Sequence, residues 1–492
     1  MYHPSFADFK GLSKKRKIIP VYKEILGDLE TPVSCFCKVR GEYSYLLESA
    51  ESEERIGRYS IIGVNPRVFF KIEEDRVEII KEGAQGARNK EQVTEENPLL
   101  FLKEIIEEYG VVPIEGLPRF FGGAVGFVGY DYIRFIENLP SRKRDSLKIP
   151  TAFFVITENN VIFDHFNHTI KITASIPIEK SPDETYDTAI GSIERIEEKL
   201  KNPLILPCEK IKSYKEEFET SKEDYVKMVK RAKEYIKAGD IFQVVLSQRI
   251  KRKTSASPVS IYRALRHINP SPYMFLLDFS DLKIIGSSPE LLVRLEDGIA
   301  ETRPLAGTRR RGKTDEEDKK LEEELLDDPK ERAEHIMLVD LGRNDLGRVC
   351  DFGSVCVSSF MNVEKYSHVM HIVSSVKGKV KKGLSGFELL SASFPAGTLT
   401  GAPKIRAGEI IDELEPKRRG IYGGCVGYFG FSGNMDTAIT IRTILLYKGI
   451  AYIQAGAGIV SDSDPEREYE ESLNKAGCCL SAISLAEEGF IL

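Results

Sequence analysis

The first part of the chain carries short runs of alternating apolar and polar residues, the pattern of strands with one buried face. The stretch 67–80, RVFFKIEEDRVEII, alternates in pieces like a hairpin, and 160–176 predicts two more paired strands. Between them, the polar residues 81–98 are rich in turn formers and predict a surface loop. The charged stretch from Glu179 to about Lys222 predicts a helix followed by a linker.

Beyond this stretch the pattern becomes sharper. A helix is predicted between Ser221, which fits an N-cap, and Gly239, which follows the last turn, because apolar residues recur there at helical spacing. The apolar run 241–250 predicts a buried strand, and the chain closes with a meander whose turns fall at 432–434 and 448–449. Antiparallel hairpins with helices grouped apart from them predict an α+β fold rather than a doubly wound sheet.

One segment of the chain is similar in sequence to a segment about 300 residues later. FFGGAVGFVGY (120–130) is similar to IYGGCVGYFGF (421–431). The similarity fits a pseudo-symmetric pair of sheets, and it also fits two glycine-rich strands that each pack closely on a neighbour. The sequence leaves both interpretations open.

The composition fits a soluble globular protein, since 41% of the 492 residues are hydrophobic and 30% are charged. The net charge of -6 disfavours a surface that binds nucleic acid or an anionic membrane. No apolar run reaches membrane-spanning length, and the first residues lack the apolar core of a signal peptide. The eight cysteines favour reduced thiols, so the sequence predicts a cytoplasmic protein without nucleic-acid or membrane partners.

The stretch TRPLAGTRRRG (302–312) concentrates positive charge around small residues. Four arginines, Arg303, Arg309, Arg310 and Arg311, surround a backbone that can come close to a ligand. Because the chain as a whole is acidic, this positive charge is local. The pattern predicts a bound anion.

Two predicted helices begin in the same way and each present a pair of glutamates. Asp328-Pro329 starts one helix, with Glu331 and Glu334 on one face, and Asp464-Pro465 starts the other, with Glu468 and Glu471. Acidic residues in a first turn usually complement the helix dipole. Two such turns together favour a shared hard-cation site of the kind that Mg²⁺ occupies.

Other polar residues stand in apolar surroundings. Arg442 is predicted inside an apolar strand, so it needs an anionic partner from the protein or from a ligand. The stretch QAGAGIV (454–460) offers backbone without bulk to such an anion. His371 fits a core histidine, Glu290 a turn-stabilising acid and Gln243 a buried amide, and each also fits a ligand site.

A series of motifs follows in order across about 216–492: KAGDIFQVVLSQR, SSPELLVRL, RPLAGTRRRG, ERAEHIMLVDLGRNDLGR, YSHVMHIVS, FPAGTLTGAPK, DTAITIRT and EYEESLNKA. Together they resemble the chorismate-utilising enzymes, most closely the large-subunit branch, component I, of anthranilate synthase. The first part resembles that branch more loosely, through YLLES and GGAVGFVGYD. The resemblance implies a pseudo-symmetric two-sheet sandwich with helices outside. It also implies a regulatory region at 1–202, packed closely on a chorismate-binding catalytic domain at 203–492.

The resemblance also assigns roles. Glu290 is expected to act as general acid on the departing 4-hydroxyl of chorismate while ammonia attacks C2, and His371 to assist the later loss of pyruvate. Mg²⁺ is expected at Glu334 and Glu471, with Glu331 and Glu468 beside it. The residues expected to hold the substrate are Gly307, Thr308, Tyr422, Arg442, Gly456, Ala457 and Gly458.

Two positions distinguish the branches that the resemblance allows. Branches that add water resemble one another in having a lysine where this chain has Gln243, and a glutamine is too weak a base to activate water. Aminodeoxychorismate synthase typically has a nucleophilic lysine where this chain has Ala306. The expected reaction is therefore the conversion of chorismate and ammonia to anthranilate and pyruvate. The alternatives are an aminodeoxychorismate synthase component I and an inactive regulatory homologue.

The resemblance further implies regulation and a partner. Ser49, Pro272, Tyr273 and Met274 look like a feedback pocket for tryptophan. No Cys–His amidotransferase signature is found in the chain. A separate glutamine amidotransferase subunit, component II, is therefore expected to supply ammonia, in a heterotetramer of two large and two small subunits.

Overall fold

A computed structural model gives the fold of the chain and describes residues 1–14, 18–49, 57–74, 76–82, 88–94, 97–112, 114–140, 147–179, 181–204, 211–366 and 369–490. Within these ranges, no helix is long and apolar enough to cross a membrane.

The strands in the described residues are β1 (Tyr2–His3), β2 (Val21–Leu26), β3 (Ser44–Glu48), β4 (Tyr59–Glu73), β5 (Arg76–Glu82), β6 (Arg88–Thr94), β7 (Gly123–Val128), β8 (Ala152–Asp164), β9 (Thr169–Ala174), β10 (Glu217–Phe218), β11 (Gln243–Lys253), β12 (Tyr273–Phe279), β13 (Leu282–Ser288), β14 (Leu291–Glu296), β15 (Ile299–Thr302), β16 (Leu305–Arg310), β17 (Cys356–Lys365), β18 (Val369–Lys379), β19 (Gly401–Ala402), β20 (Cys425–Gly430), β21 (Met435–Ile439), β22 (Thr443–Tyr447) and β23 (Ile450–Ile459).

The helices in the same residues are α1 (Phe6–Leu12), α2 (Pro32–Val39), α3 (Leu99–Tyr109), α4 (Pro182–Lys201), α5 (Lys222–Ala238), α6 (Pro258–Ile268), α7 (Asp315–Asp327), α8 (Pro329–Val349), α9 (Gly386–Ser393), α10 (Gly397–Thr400), α11 (Lys404–Leu414) and α12 (Pro465–Glu487), with a 3-10 turn at Tyr130–Phe135.

Three apolar cores define the layers of the molecule. The central core consists of strand and loop residues, among them Phe127, Phe153 and Phe275, so it lies between two layers of sheet. On the outside of one layer, helices α3, α5, α8, α9 and α11 contribute to a second core. Helices α2, α4, α6 and α12 contribute to a third core, on the other layer. This arrangement confirms the predicted α+β sandwich of antiparallel sheets with helices outside.

The strands form one continuous antiparallel network, because the long strands pass from one layer to the other. β4, β8, β11 and β23 each place side chains in both outer cores. β11 pairs with β23 along ten residues, from Val244 opposite Ile459 to Lys253 opposite Ile450. The long pairing fixes the register of both strands, and this register carries several of the site residues described below.

The two similar glycine-rich segments pair with each other. β7 runs antiparallel to β20, with Gly126 opposite Gly427 and Val128 opposite Cys425. A Cβ atom built on Gly126 would come 2.0 Å from the carbonyl oxygen of Phe153, so glycine is required for the close approach. The two similar segments therefore contain the paired strands β7 and β20, which join the early and late parts of the chain.

Strands from the two parts of the chain pair at more than one place. β3 pairs with β12, with Met274 opposite Glu48, in addition to the β7–β20 pair. The helix predicted in the charged stretch before residue 222 appears as α4, with Ser181 as its N-cap. Residues 205–210 of the predicted linker lie outside the described residues. The domain boundary at 202 itself stays a prediction.

Two local predictions were wrong. The stretch 81–98, predicted as a surface loop, contains strand β6, which pairs with β5 from Arg88 opposite Glu82 to Thr94 opposite Arg76. Residues 83–87 and 95–96 of this stretch lie outside the described residues. Backbone pairing to an existing strand edge overrides the weak β propensity of these polar residues. The predicted strand through Arg442 is instead two strands, β21 and β22, separated at Arg442, because β21 pairs with β14 and β20 whereas β22 pairs with β13 and β23.

Candidate active site

A bulge in β16 brings His371 to the backbone of the Gly307-Thr308 step. The register of β16 against β18 shifts between Ala306 and Arg309, and Gly307 has a φ of 66°, which favours glycine. The Nδ1 atom of His371 lies 2.8 Å from the carbonyl oxygen of Gly307 and 3.1 Å from Oγ1 of Thr308. Because a carbonyl can only accept, Nδ1 carries the hydrogen and Nε2 is left to take up a proton. Burial lowers the pKa of His371, which favours the neutral ring.

Glu290 is a buried carboxyl directly before β14. Its side chain is 7% exposed, and desolvation raises its pKa to about 7, whereas the hydrogen bond from Thr398 and the charge of Lys475 oppose this shift. The hydroxyl of Thr398 donates to Oε1 of Glu290 over 2.8 Å. A carboxyl with such a pKa is substantially protonated near neutral pH and can donate a proton to a leaving group.

Arg442 lies where the chain changes from one sheet layer to the other. Its φ is 49°, its carbonyl accepts a hydrogen bond from the backbone of Ser287, and its Nη1 donates to the carbonyl of Lys475 over 2.6 Å. A position between two strands lets the side chain leave the sheet and reach the middle of α12, at Lys475. The guanidinium is half-buried and retains donors for an anionic ligand.

Tyr422 and the glycines of β23 are the remaining residues predicted to hold the substrate. Tyr422 is buried, with the guanidinium of Arg419 at 5.5 Å from its ring centre. A Cβ built on Gly456 would meet the carbonyl of Leu246 at 2.3 Å, and one on Gly458 would meet Nε2 of Gln243 at 2.7 Å. Glycine at these two positions is thus required by the close approach of β11, and Ala457 between them is buried in a core.

The glutamates predicted at the two helix starts lie on the first turns of α8 and α12. Asp328 and Asp464 are N-caps, each accepting from two backbone amides. The two starts are joined by an ion pair of Lys330 with Asp462, at 3.1 Å. Burial lowers the pKa of Lys330, but its hydrogen bond and ion pair with Asp462, together with the smaller effects of Glu334 and Glu468, raise it overall. Carboxylates of both helix starts therefore act on the same lysine.

The four carboxylates suit a hard cation by chemistry, but three of them pair with other protein groups. Glu334 accepts from Nε2 of Gln243 at 3.1 Å, Glu331 pairs with Arg309 at 3.2 Å, and Glu471 pairs with Lys475 at 2.6 Å. Burial and the charge of Glu471 raise the pKa of Glu468, so its negative charge is disfavoured in the folded protein. A bound cation would stabilise that charge. Across the described ranges, no group of three or more histidine, cysteine, aspartate or glutamate side chains is close enough to hold a metal ion.

The prediction that the arginine cluster binds an anion is not supported, because each of the four arginines pairs with a carboxylate of the protein. Arg309 contacts Asp328 at 2.8 Å as well as Glu331, and Arg311 contacts Asp318 at 2.9 Å. The remaining two pairs are Arg303 with Glu364 and Arg310 with Glu317. The cluster therefore holds β16 to its neighbours rather than presenting free charge.

Sequence reasoning missed two residues of the site. Lys475 pairs with Glu471, provides the carbonyl that binds Arg442, and acts electrostatically on Glu290. Thr398 fixes the orientation of the Glu290 carboxyl. The available signals were the position of Lys475 one helical turn after Glu471, and a threonine within the FPAGTLTGAPK motif.

A separate pocket, here called the Tyr273 pocket, lies between β3, β12, β14, β20 and β21. All four residues predicted for a regulatory ligand, Ser49, Pro272, Tyr273 and Met274, line it. Other lining residues were not predicted, among them Arg294 and Asp436. Arg294 donates to Asp436 at 2.9 Å and to the hydroxyl of Tyr273 at 2.9 Å, and that hydroxyl donates to Asp436 at 3.1 Å.

Comparison with known proteins gives a consistent result. The family described as chorismate binding enzyme matches residues 42–481. The chain is 48% identical to anthranilate synthase component 1 of Acetivibrio thermocellus, over 99% of this chain and 100% of that protein. It is also 48% identical to anthranilate synthase component 1 of Aquifex aeolicus, over 98% of both.

Solved structures agree with the fold. Anthranilate synthase component I from Streptococcus pneumoniae superposes with a TM-score of 0.77 at 37% identity, covering 92% of this chain and 98% of that one. The menaquinone-specific isochorismate synthase of Escherichia coli superposes with a TM-score of 0.70 at 19% identity, over 97% and 99% of the two chains. The second similarity concerns the fold alone.

Proposed function

The chain belongs to the chorismate-binding enzymes, and we propose that it is the component of an anthranilate synthase that converts chorismate and ammonia to anthranilate, pyruvate and water. The observation that carries the proposal is the buried Glu290, whose pKa is raised to about 7. A carboxyl of this kind can donate a proton to a departing hydroxyl near neutral pH. Full-length similarity to proteins named anthranilate synthase component 1 supports the same reaction.

Substrate binding is assigned to groups that converge around Arg442. The guanidinium of Arg442 and the hydroxyl of Tyr422 suit one carboxylate of chorismate. The bare backbone of Gly456, Ala457 and Gly458 and the Gly307-Thr308 step suit close hydrogen bonds to the remaining oxygens. These assignments rest on the geometry of each group and on the family resemblance.

The first chemical step needs an acid. The lone pair of ammonia forms a bond to C2 of the ring, the ring double bonds shift, and the bond between C4 and its hydroxyl breaks. Glu290 gives its proton to that hydroxyl, which leaves as water, and the positively charged nitrogen on C2 then releases one proton to give the amine. Thr398 holds the Glu290 carboxyl in one orientation during this transfer.

The second step needs a base. Loss of pyruvate requires removal of the ring hydrogen at C2 while the bond from the ring to the enolpyruvyl oxygen breaks. His371 has a neutral ring whose Nδ1–H is committed to Gly307, so its Nε2 can accept that proton. The ring becomes aromatic, and the released enol converts to pyruvate.

Mg²⁺ is proposed as the cofactor, held by Glu334 and Glu471 with Glu331 and Glu468 beside them. When bound, the ion would neutralise the ring carboxylate of chorismate and fix its position. Since three of these carboxylates already bind protein groups, the ion and the protein compete for them. Treatment with a chelator is expected to abolish activity, and added Mg²⁺ to restore it.

Two positions favour ammonia over other nucleophiles. Gln243 donates its amide hydrogen to Glu334 at 3.1 Å, and an amide cannot activate water as a base. Ala306 is buried opposite Ile372 and has no nucleophilic atom. These residues argue against the branch that adds water and against aminodeoxychorismate synthase, which is the alternative.

A partner and an inhibitor complete the proposal. We expect a glutamine amidotransferase subunit to supply ammonia in cells, in an assembly of two large and two small subunits, and the protein to act in the cytoplasm. Tryptophan is proposed as an inhibitor that binds the Tyr273 pocket. The apolar lining of that pocket suits an indole, while Asp436, Arg294 and Glu48 offer charges to an amino acid backbone.

The proposal is tested by incubating the purified chain with chorismate, Mg²⁺ and ammonium at mildly alkaline pH. Anthranilate fluorescence and pyruvate release are followed together, with and without tryptophan. Anthranilate and pyruvate in equal amounts are expected, and tryptophan is expected to suppress both. An aminated product without pyruvate would instead indicate aminodeoxychorismate synthesis, and no product would indicate a regulatory homologue.

A further inference from the structure

A buried ion pair adjoins several residues of the candidate active site. Arg419 is 3% exposed and Glu415 is 2% exposed, and they are joined by two hydrogen bonds, at 2.6 and 3.0 Å. Glu415 also accepts from the backbone amide and the hydroxyl of Ser247, at 2.8 and 2.7 Å. A buried ion pair adds little net stability, because desolvation of both charges offsets their attraction. The arrangement therefore favours a role in fixing one conformation.

The guanidinium of Arg419 binds the backbone beside two residues of the site. Its Nη1 donates to the carbonyl of Leu399 at 2.6 Å, and Leu399 directly follows Thr398, which orients the acid. Its Nη2 donates to the carbonyl of Val245 at 2.7 Å, two residues along β11 from Gln243. One side chain thus joins the short helix α10 to the beginning of β11.

Two tyrosine rings also lie close to Arg419. The guanidinium carbon is 4.6 Å from the ring centre of Tyr130 and 5.5 Å from that of Tyr422. Tyr422 is buried, and its backbone amide donates to the carbonyl of Arg419 at 3.3 Å. Arg419 therefore contacts both the ring that is assigned to substrate binding and the helix that carries Thr398.

We propose that Arg419 is a positioning residue that holds Tyr422 and the Thr398 segment in fixed relative positions, an inference that rests on the proposed function. The acid Glu290 then meets a substrate whose carboxylate is already placed. A planar guanidinium donates in several directions at once, which a lysine ammonium cannot reproduce. Because a displacement of about 1 Å can cost about 10²-fold in rate, a residue that touches no reacting atom can still control the reaction.

Arg419→Lys tests the proposal, and Arg252→Lys is its matched control. Both substitutions keep the positive charge and remove the planar group. Arg252 is likewise 3% exposed and pairs with the buried Glu487 at 2.5 Å. Its other hydrogen-bond partners are not assigned to the site: Ser213, Glu216 and Ser484.

Initial rates of anthranilate formation are measured against chorismate at saturating ammonium, and thermal unfolding is measured for each variant. For Arg419→Lys, kcat is expected to fall about tenfold and the KM for chorismate to rise about fivefold, as for the loss of about one hydrogen bond at each group. Arg252→Lys should leave both constants close to those of the wild type, even where it lowers the temperature of unfolding.

The pH profile of kcat distinguishes positioning from a purely structural role. Desolvation raises the pKa of Glu290, and the hydrogen bond from Thr398 and the charge of Lys475 oppose this shift. If Arg419→Lys displaces Thr398, the pKa of Glu290 rises further, so the fall in rate at fixed free ammonia moves to higher pH. Thr398→Val should cause the same movement. The double variant should add nothing to it, because both changes act on one hydrogen bond.

Wild-type kinetics and a wild-type pH profile in a folded Arg419→Lys variant would overturn the proposal. So would a fall in kcat with the KM and the pH profile unchanged, equal effects in Arg252→Lys, or an additional pH movement in the double variant. Glu415→Gln removes the anionic partner of Arg419 and carries the test if Arg419→Lys does not fold. Failure of the proposed function is distinct, because the wild-type chain would then form no anthranilate from ammonium.

Discussion

The candidate active site and the Tyr273 pocket share two strands, but they use different parts of them. Glu290 stands just before β14 and Arg442 just after β21, whereas Arg294 and Asp436 face each other in the middle of the same two strands. Glu290 and Arg442 thus stand where the backbone leaves the sheet, whereas His371 lies within β18. In the pocket, strand pairing fixes Arg294 and Asp436, whereas Ser49 and Pro272 lie just outside β3 and β12.

We therefore expect that substitutions can alter catalysis and ligand binding separately, although the active site and the Tyr273 pocket are connected through the backbone. The backbone amide of Ile439, at the end of β21, donates to the carbonyl of Glu290 at 3.0 Å. β14 begins directly after Glu290, and β21 ends shortly before Arg442. A ligand that separates Asp436 from Arg294 would therefore act on the two strands next to these site residues. The substitutions below separate the two regions, beginning with the largest expected effect.

Glu290→Gln should cause the largest loss. The amide keeps an oxygen that can accept from Thr398, but it cannot deliver a proton, so kcat is expected to fall by about 10²- to 10⁴-fold. Tryptophan binding should be unchanged. Because the chain contains no tryptophan of its own, indole fluorescence reports the bound ligand directly. Near-normal kcat in this variant would remove Glu290 from the role of acid.

His371→Gln should separate the two chemical steps. The amide can still donate to the Gly307 carbonyl but cannot take up the C2 proton, so pyruvate release is expected to slow by about 10²-fold. Chorismate consumption is measured alongside pyruvate, and an aminated intermediate should accumulate. Equal loss of both signals would show that His371 supports binding or structure instead.

Ser49→Phe should act only on the Tyr273 pocket. A bulky ring fills space at the pocket wall, so the tryptophan concentration needed for half-inhibition is expected to rise about tenfold or more, from the cost of overpacking. Activity without tryptophan should stay close to that of the wild type. Unchanged inhibition would exclude this pocket as the feedback site.

The pH dependence should report Glu290 and His371. At a fixed concentration of free ammonia, the rate is expected to fall as the pH rises through about 7, because Glu290 then loses the proton that it must donate. On the acid side, the rate is expected to fall only at pH values below the usual pKa of a histidine, because the pKa of His371 is lowered. The residual activity of the Glu290→Gln variant should no longer fall as the pH rises through about 7. A rate that stays level through neutral pH would contradict the assignment.

The same carboxyl predicts a trend in stability. The pKa of Glu290 is higher in the folded chain than its ordinary value of 4.5, so ionisation disfavours the folded state. Its contribution to the free energy of unfolding is therefore lost as the pH rises from 4.5 through about 7. Comparison of thermal unfolding of wild type and Glu290→Gln across this window checks the sign.

Arg310→Ala should have the smallest effect. Arg310 is largely exposed and pairs with Glu317, so its loss is expected to change kcat/KM by less than about twofold and stability by less than about 1 kcal/mol. Steady-state kinetics and thermal unfolding measure both. A large rise in the KM for chorismate would restore the idea that the arginine cluster binds an anion.

The sequence predicted most elements because their signals are local. The caps at Ser221, Asp328 and Asp464 and the alternating strands all appear in the structure. The break at Arg442 was missed, because it is caused by pairing with different neighbours on its two sides and not by a local breaker. The protein partners of the arginine cluster could not be predicted for a similar reason, since Asp318 and Glu364 become neighbours of these arginines only after folding.

The pairing of β7 with β20 also sets an order of assembly. β7 can pair with β8 soon after both have left the ribosome, but its other edge waits until residues 425–430 have been made. Contacts between such distant segments form slowly and leave an unpaired edge open to other chains in the meantime. Nascent or truncated chains that lack β20 are therefore expected to be prone to aggregation and to depend on chaperones.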